Sequence, residues 1–148
     1  MTTLHSLLVF LHVLSISVWM AAALWVSGDV NRALALGRPY VDALAARVRP
    51  KLGLDAAAGV ATVITGALIM WEEHLGKPRI GITIGIVLTL ARLGLLAAMR
   101  RSWRSIAERL GRGEQVASGD PAPRRMAMYS GIAHTMWLLA LAGMVFPV

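Results

Sequence analysis

The segment LHSLLVFLHVLSISVWMAAALWV, which runs from Leu4 to Val26, decides how this chain folds. A helix of about 20 apolar residues is long enough to cross a bilayer. This segment nevertheless contains His5 and His12, which lie two helical turns apart and therefore face the same side of the helix. Trp19 continues that stripe. Because an imidazole in hydrocarbon is costly and normally has an interior partner, the segment predicts a helical bundle that supplies one.

The composition excludes a small domain whose surface faces water. Of the 148 residues, 57% are hydrophobic, and the mean hydropathy is +0.63. The net charge of +7 is confined to segments that flank apolar stretches, which favours anionic lipid headgroups over nucleic acid as the partner. The chain has no cysteine, so disulfides, thiolate metal sites, iron–sulfur clusters and covalent c-type haem are excluded.

Four apolar segments have the length of a membrane span: residues 4–26, 52–71, 80–99 and 126–148. No stretch alternates with the period of a barrel strand, and backbone groups in lipid must be satisfied internally. We therefore predict an all-α fold, an integral membrane four-helix up-down bundle that forms one domain over residues 1–148. The first span lacks a basic leader and a small-residue cleavage site, so we expect it to be retained.

The basic residues predict the orientation. The connections 27–51 and 100–125 together hold twelve lysines and arginines, whereas the connection 72–79 holds two and the tails hold none. The positive-inside rule places both long connections in the cytoplasm and both termini outside. The prediction is a multi-pass protein of the bacterial inner membrane. Parts of the long connections are expected to be helical, with residues 29–36 extending the first span and residues 100–110 extending the third.

Several polar side chains are predicted to lie inside the spans. At a rise of 1.5 Å per residue, His12 lies about 12 Å below the outer edge, and Arg92 and His134 lie about 18 Å below it. His5 and His74 are expected near the outer edge.

Haem b needs one or two neutral imidazoles, a flat slot and cations for its propionates. We therefore predict haem b with His12 as the first axial ligand and His134 or His74 as the second. Arg79 or Lys77 is the expected partner of outward-facing propionates, and Arg92 is the expected partner of a deeper propionate or of a second cofactor. Small residues that would form the slot recur on the later spans: Gly59, Gly66, Gly81, Gly85 and Gly131.

Other interpretations of the same residues stay open. Pairing His12 with His134 requires helix tilt to close a depth difference of about 6 Å, and His5 or His74 is the alternative partner. His5, His12, His74 and His134 are also candidate ligands of copper or another metal, which imidazole suits. Arg92 has an alternative partner in Asp55. Each histidine also has a purely structural interpretation, and the pair Gly81 and Gly85 fits either close helix packing or a dimer face.

The first span resembles the first helix of a group of small bacterial four-helix membrane proteins. That group includes the copper-resistance D-like family and the haem-containing protoporphyrinogen oxidases of the HemJ type. The matching residues are Leu11, His12, Trp19 and the alanines at 21–23. The resemblance implies a four-helix membrane fold and haem binding through His12. The sequence departs from the oxidase pattern after the first helix, where it reads Gly-Asp-Val-Asn-Arg. It also lacks the lysine expected on the third helix, for which Arg92 is the nearest ionisable substitute.

The expected function is electron transfer or haem-linked redox chemistry near the outer leaflet. A copper-handling or transport protein and a non-catalytic membrane scaffold are the alternatives. The expected partners are the lipid bilayer, a second copy of the chain in a homodimer, and a redox partner that the sequence does not identify.

Overall fold

The computed structural model describes residues 3–73 and 80–145, and every regular element within them is a helix. These elements are α1 (Thr3–Leu24), α2 (Val26–Leu36), α3 (Leu44–Glu72), α4 (Ile80–Gly111) and α5 (Pro121–Val145). The prediction of an all-α chain is confirmed for this part of the molecule. The predicted site residues His74, Lys77 and Arg79 lie outside the described residues.

The helices are longer than the predicted spans because they take up most of the predicted connections. Only Trp25 interrupts the path from α1 into α2, so the expected extension of the first span forms, with a bend at its start. Helix α3 begins at Leu44 and includes Pro50, and α4 continues to Gly111. At the end of α2, Gly37 adopts a φ of 70°, a left-handed conformation that glycine reaches without a Cβ penalty.

Three helical segments are long and apolar enough to cross a membrane: Thr3–Leu36, Leu44–Glu72 and Ile80–Gly111. They contain the first three predicted spans. The fourth predicted span falls on α5, which is not among these three. Its described part carries Tyr129, Ser130, His134 and Thr135, and these polar groups lower its hydropathy.

Two pairs of helices have the most extensive contacts, α1 with α3 and α4 with α5, and α3 also packs on α4. Contacts from α1 to α3 join His5 to Glu72 and His12 to Thr65, so the two helices run in opposite directions. The two pairs also meet through α1 and α5, and α4 reaches α1 through the side chain of Arg92, which contacts Trp19. This arrangement places the stripe of α1 directly against α3.

Burial differs between the two ends of the molecule. The apolar core lies at the basic end, where α2, the start of α3, the end of α4 and the start of α5 meet; its members include Val30, Leu44, Val48, Trp103, Ile106 and Met126. Along the other half, large apolar side chains cover the outside, including Phe10 at 61% and Val87 at 58% exposure. An apolar surface of that extent is unusual in water and is expected where lipid surrounds the helices.

Helices α4 and α5 are in close backbone contact at Gly81. A Cβ at this position would collide with the backbone oxygen of Gly143, so only glycine fits there. Gly85, one turn further along α4, is also buried. Gly81 and Gly85 thus support packing between helices of one chain. Because α5 already covers Gly81, this face is no longer supported as a dimer interface.

Candidate functional site

The stripe of α1 finds polar partners on α3. His5 Nδ1 lies 3.0 Å from Glu72 Oε2, and His12 Nδ1 lies 2.9 Å from Thr65 Oγ1. Trp19 packs over Gly59, where an added Cβ would stand 2.8 Å from the indole. The prediction that these three side chains of α1 share a face is confirmed.

Hydrogen bonding determines which nitrogen of His12 carries its proton. A threonine hydroxyl has one hydrogen, and Thr65 Oγ1 lies 2.7 Å from the Ala61 carbonyl oxygen, which can only accept. With that hydrogen committed, Thr65 Oγ1 accepts the hydrogen bond from His12 Nδ1. Nε2 of the neutral imidazole is then left with its lone pair. An imidazole oriented through Nδ1 and free at Nε2 is the usual arrangement of a histidine that binds a metal.

A crevice of about 350 Å³ lies beside His12 and runs between α3 and α4. Its walls are mainly apolar and include Val63, Gly66, Ile69, Met70, Ile82 and Ile86. Gly66 faces the imidazole, since an added Cβ would stand 3.1 Å from His12 Cε1. Leu90 and Ala67, which also line it, are exposed, so the crevice opens on the outside of the bundle. Its volume lies at the lower end of the range for small-molecule sites.

A second polar group lies deeper, around an ion pair. Arg92 Nη2 lies 3.4 Å from Asp55 Oδ1 and donates to the backbone oxygen of Trp19 at 3.2 Å. The guanidinium carbon stands 4.0 Å from the centroid of the Trp19 ring, a cation–π contact. Both charged side chains are at most 6% exposed. The structure thus realises the Asp55 alternative that the sequence left open for Arg92.

His134 is predicted at the level of this deeper group. Its Nδ1 lies 2.6 Å from the backbone oxygen of Ser130, and since a carbonyl only accepts, Nδ1 carries the proton. Its Nε2 is buried and has no hydrogen-bond partner among the described residues. His134 lies on α5, which packs on α4, the helix that carries Arg92. Thr65, the partner of His12, lies ten residues after Asp55 on α3, a rise of about 15 Å.

The N-terminal end of α1 holds a third polar group. His5 contacts Glu72 at 3.0 Å and lies 3.9 Å from Glu73. Within residues 3–73 and 80–145, no group of three or more histidine, aspartate or glutamate side chains is arranged to hold a metal ion. A site that includes His74 would extend beyond those residues.

The sequence analysis did not predict the hydrogen bonds that hydroxyl side chains form between α1 and α3, which involve Ser15, Thr62 and Thr65. Thr62 Oγ1 donates to Ser15 Oγ at 3.0 Å, and Ser15 Oγ donates to the backbone oxygen of His12 at 2.8 Å. Together with Thr65, these side chains link the two helices between the His12 level and the Trp19 level. Hydroxyls inside apolar spans were the available signal, because such groups commonly form hydrogen bonds between helices.

The fold and these sites define an all-helical chain with membrane-length helices and polar groups on their facing surfaces. No family model, no curated protein and no solved structure matches the chain.

Proposed function

We propose that this chain is a haem b-binding protein of the bacterial inner membrane that transfers electrons near the outer leaflet. In this proposal α5 is the fourth span, the helices form an up-down bundle, and both termini lie outside. The opposed directions of α1 and α3 and the basic residues at one end support that orientation. The protein would belong to the same broad class as the small four-helix membrane proteins that its first helix resembles.

One observation carries the haem proposal: His12, whose Nδ1 is held by Thr65, lies beside an apolar crevice. Haem supplies a redox-active iron when bound, and this chain contributes an oriented imidazole and apolar walls. Because the crevice opens on the bundle surface, one edge of the macrocycle would lie against lipid. The hydrogen bond to Thr65 fixes the orientation of the His12 ring, so Nε2 is directed away from the Thr65 hydroxyl.

We propose His74 or His134 as the second axial ligand and prefer His74, because His134 is predicted at the level of Arg92 and Asp55, about 15 Å along α3 from Thr65 at the level of His12. Arg79 would bind an outward-facing propionate. Arg92 would bind a deeper one through Nη1, since its Nη2 is engaged by Asp55 and Trp19.

The copper alternative would need a cluster of metal-binding side chains. Among the described residues, no three histidine, aspartate or glutamate side chains form such a cluster. A homodimer is retained as part of the proposal, without the Gly81 face, because α5 covers it.

The decisive experiment is an absorption spectrum of the purified full chain in detergent, before and after dithionite. The proposal expects a Soret band that sharpens on reduction, and expects His12→Ala to abolish it. His5→Ala is the matched control, since His5 has a carboxylate partner outside the crevice and its loss should leave the band in place. Absence of the band with copper found by elemental analysis would favour the metal-handling alternative, and absence of both would favour the scaffold.

The orientation has its own test because the chain contains no cysteine. Single substitutions Thr3→Cys and Ser118→Cys place one thiol at each proposed end, and both positions are exposed. A membrane-impermeant maleimide added to intact cells should label position 3 and spare position 118 until the cells are lysed. The reverse labelling pattern would invert the topology, and labelling of both in intact cells would contradict a membrane-spanning bundle.

A further inference from the structure

The basic side chains of the two long connections fall into two groups, according to whether a carboxylate pairs with them. Those with an ion pair are Arg38, Arg47, Lys51, Arg109 and Arg112. The exposed arginines whose side chains have neither an ion pair nor a hydrogen bond, within residues 3–73 and 80–145, are Arg32, Arg49, Arg101, Arg104, Arg124 and Arg125. Every acidic residue of these connections except Glu108 is engaged by the first group. The second group therefore lacks counter-ions within the described chain.

On α4 and α5 the unpaired arginines lie nearer to the membrane than the paired ones. At a rise of about 1.5 Å per residue, Arg101 and Arg104 lie about 3 and 7 Å beyond the end of the third predicted span. Arg124 and Arg125 immediately precede the fourth predicted span. The headgroup layer on each side of the hydrocarbon core is about 5–7 Å thick, so these four arginines, the arginine belt, fall at headgroup level. The paired arginines near the end of α4 lie about 15–20 Å beyond the core.

The packing of α4 on α5 brings the arginine belt to one end of a single helix pair. The two helices are antiparallel, since Gly81 meets Gly143 at one end and Arg109 Nη1 lies 2.8 Å from Asp120 Oδ2 at the other. Positions between these two contacts match in level along the two helices. The belt residues of α4 therefore stand within about one helical turn of the belt residues of α5.

An exposed apolar surface continues from the arginine belt along both helices. On α4, one exposed face is formed by positions three or four residues apart: Leu90, Gly94, Ala97, Arg101 and Arg104. On α5, the same spacing gives an exposed face of Arg125, Met128 and Ile132. Each face carries positive charge at headgroup level and apolar atoms at the level of the hydrocarbon. This pattern is complementary to a phospholipid with a negatively charged headgroup.

We propose that the arginine belt and the apolar faces of α4 and α5 form a binding surface for acidic phospholipids of the cytoplasmic leaflet. The anionic headgroups pair with the guanidiniums, and the acyl chains lie along the exposed apolar side chains. A free phosphate would match the charge but leave the apolar faces uncovered. The inference rests on the membrane insertion and orientation given under the proposed function, and it uses no residue assigned to haem.

The test is native mass spectrometry of the full chain in detergent, with equal amounts of phosphatidylglycerol and phosphatidylcholine of the same acyl chains. Adducts of phosphatidylglycerol should dominate. The preference should fall about fivefold for each belt arginine replaced, and so about 25-fold in Arg101→Gln with Arg125→Gln, because a basic side chain near an acidic surface contributes a factor of that order. Equal binding of both lipids by the unmodified chain, or displacement of the lipid by inorganic phosphate, would overturn the proposal.

Arg38→Gln with Arg112→Gln is the matched control, since it changes the net charge equally but removes arginines that already have carboxylate partners. It should leave the preference unchanged, and equal losses in the two double variants would contradict a defined surface. Arg101→Lys with Arg125→Lys keeps both charges and should retain the preference; its loss there would assign the effect to the fold. The cysteine labelling described above reports insertion and the absorption spectrum reports haem, so failure of either is distinguishable from failure of lipid selection.

Discussion

The Nδ1 atom of His12 lies 2.9 Å from Oγ1 of Thr65 on the facing helix, and this contact assigns the proton of the neutral imidazole to Nδ1. If the pair orients an axial ligand, then Thr65→Val should loosen the imidazole while leaving helix packing intact. Loss of such an outer partner typically lowers affinity about 10- to 100-fold. Haem titration of the apoprotein, followed at the Soret band, measures this. Thr135→Val is the control, since Thr135 is an exposed threonine that bonds only its own helix at Gly131. Equal affinities in the two variants would argue against an orienting role for Thr65.

Gly66 offers a steric test of the crevice. An added Cβ would stand 3.1 Å from His12 Cε1, so a larger side chain must displace the imidazole or fill the crevice. We expect Gly66→Leu to abolish ligand binding at His12. Gly53→Leu, the same substitution on the same helix, has nothing within 4 Å of the new Cβ and should leave binding unchanged. The absorption spectrum decides between them, and a full-strength band in Gly66→Leu would place the ligand elsewhere.

The close approach of α4 and α5 predicts a stability difference between two glycines of α4. Gly81→Ala places a methyl group against the backbone of Gly143, and overpacking of this kind typically costs about 1–3 kcal/mol. Gly94→Ala meets nothing within 4 Å and should be neutral or stabilising by up to about 1 kcal/mol through helix propensity. Unfolding in detergent, followed by circular dichroism, compares the two. Equal midpoints would contradict the packing of α4 on α5 at this glycine.

The sequence predicted the helices and the shared face of α1 because both follow from local periodicity. Residues 5, 12 and 19 must align on any regular helix, whatever surrounds it. The partners of these residues could not be predicted in the same way. Thr65 and Glu72 contact α1 because of how α1 and α3 pair and in which register, and helix periodicity does not determine either.

The deeper group was partly predictable for the same reason. The sequence left two partners open for Arg92, a haem propionate and Asp55. Asp55 was one of them because charged side chains inside membrane spans tend to pair. Depth arithmetic placed Arg92 and His134 at one level, and the structure pairs Arg92 with Asp55. The fourth span stays a prediction, because residues 126–148 extend beyond the described part of the chain and the described α5 carries polar residues such as Ser130 and His134. His74, Arg79 and the cofactor itself stay predictions.

The buried ion pair predicts non-additive effects on stability. Removing one partner leaves an uncompensated charge in the interior, which typically costs about 3–5 kcal/mol. We therefore expect Asp55→Leu and Arg92→Met to be strongly destabilising alone. The double variant should recover much of the loss, because no buried charge remains. A double-mutant cycle on thermal unfolding measures the coupling. Simple additivity of the two single effects would mean that the pair is not coupled.

The turn after α4 predicts an acid-sensitive contact. Glu114 accepts hydrogen bonds from Arg112 Nε at 2.6 Å and from Arg109 Nε at 2.9 Å. These bonds, that from Arg112 first, hold the pKa of the Glu114 carboxyl below its ordinary value. A carboxyl with a lower pKa in the folded state adds stability above its unfolded pKa and loses it as the pH falls through the folded pKa.

We therefore expect amide exchange over residues 109–120 to accelerate, relative to the intrinsic rate, as the pH falls below about 4. Hydrogen–deuterium exchange with mass spectrometry measures this. The group is exposed, so the effect should be small and should weaken in high salt. Glu114→Gln should be less protected at neutral pH and respond less to acid. Glu108→Gln, an exposed glutamate of α4, is the matched control and should behave like the unmodified chain. An acid response that persists unchanged in Glu114→Gln would assign it to another carboxylate, of which Asp120, 2.8 Å from Arg109, is the nearest candidate.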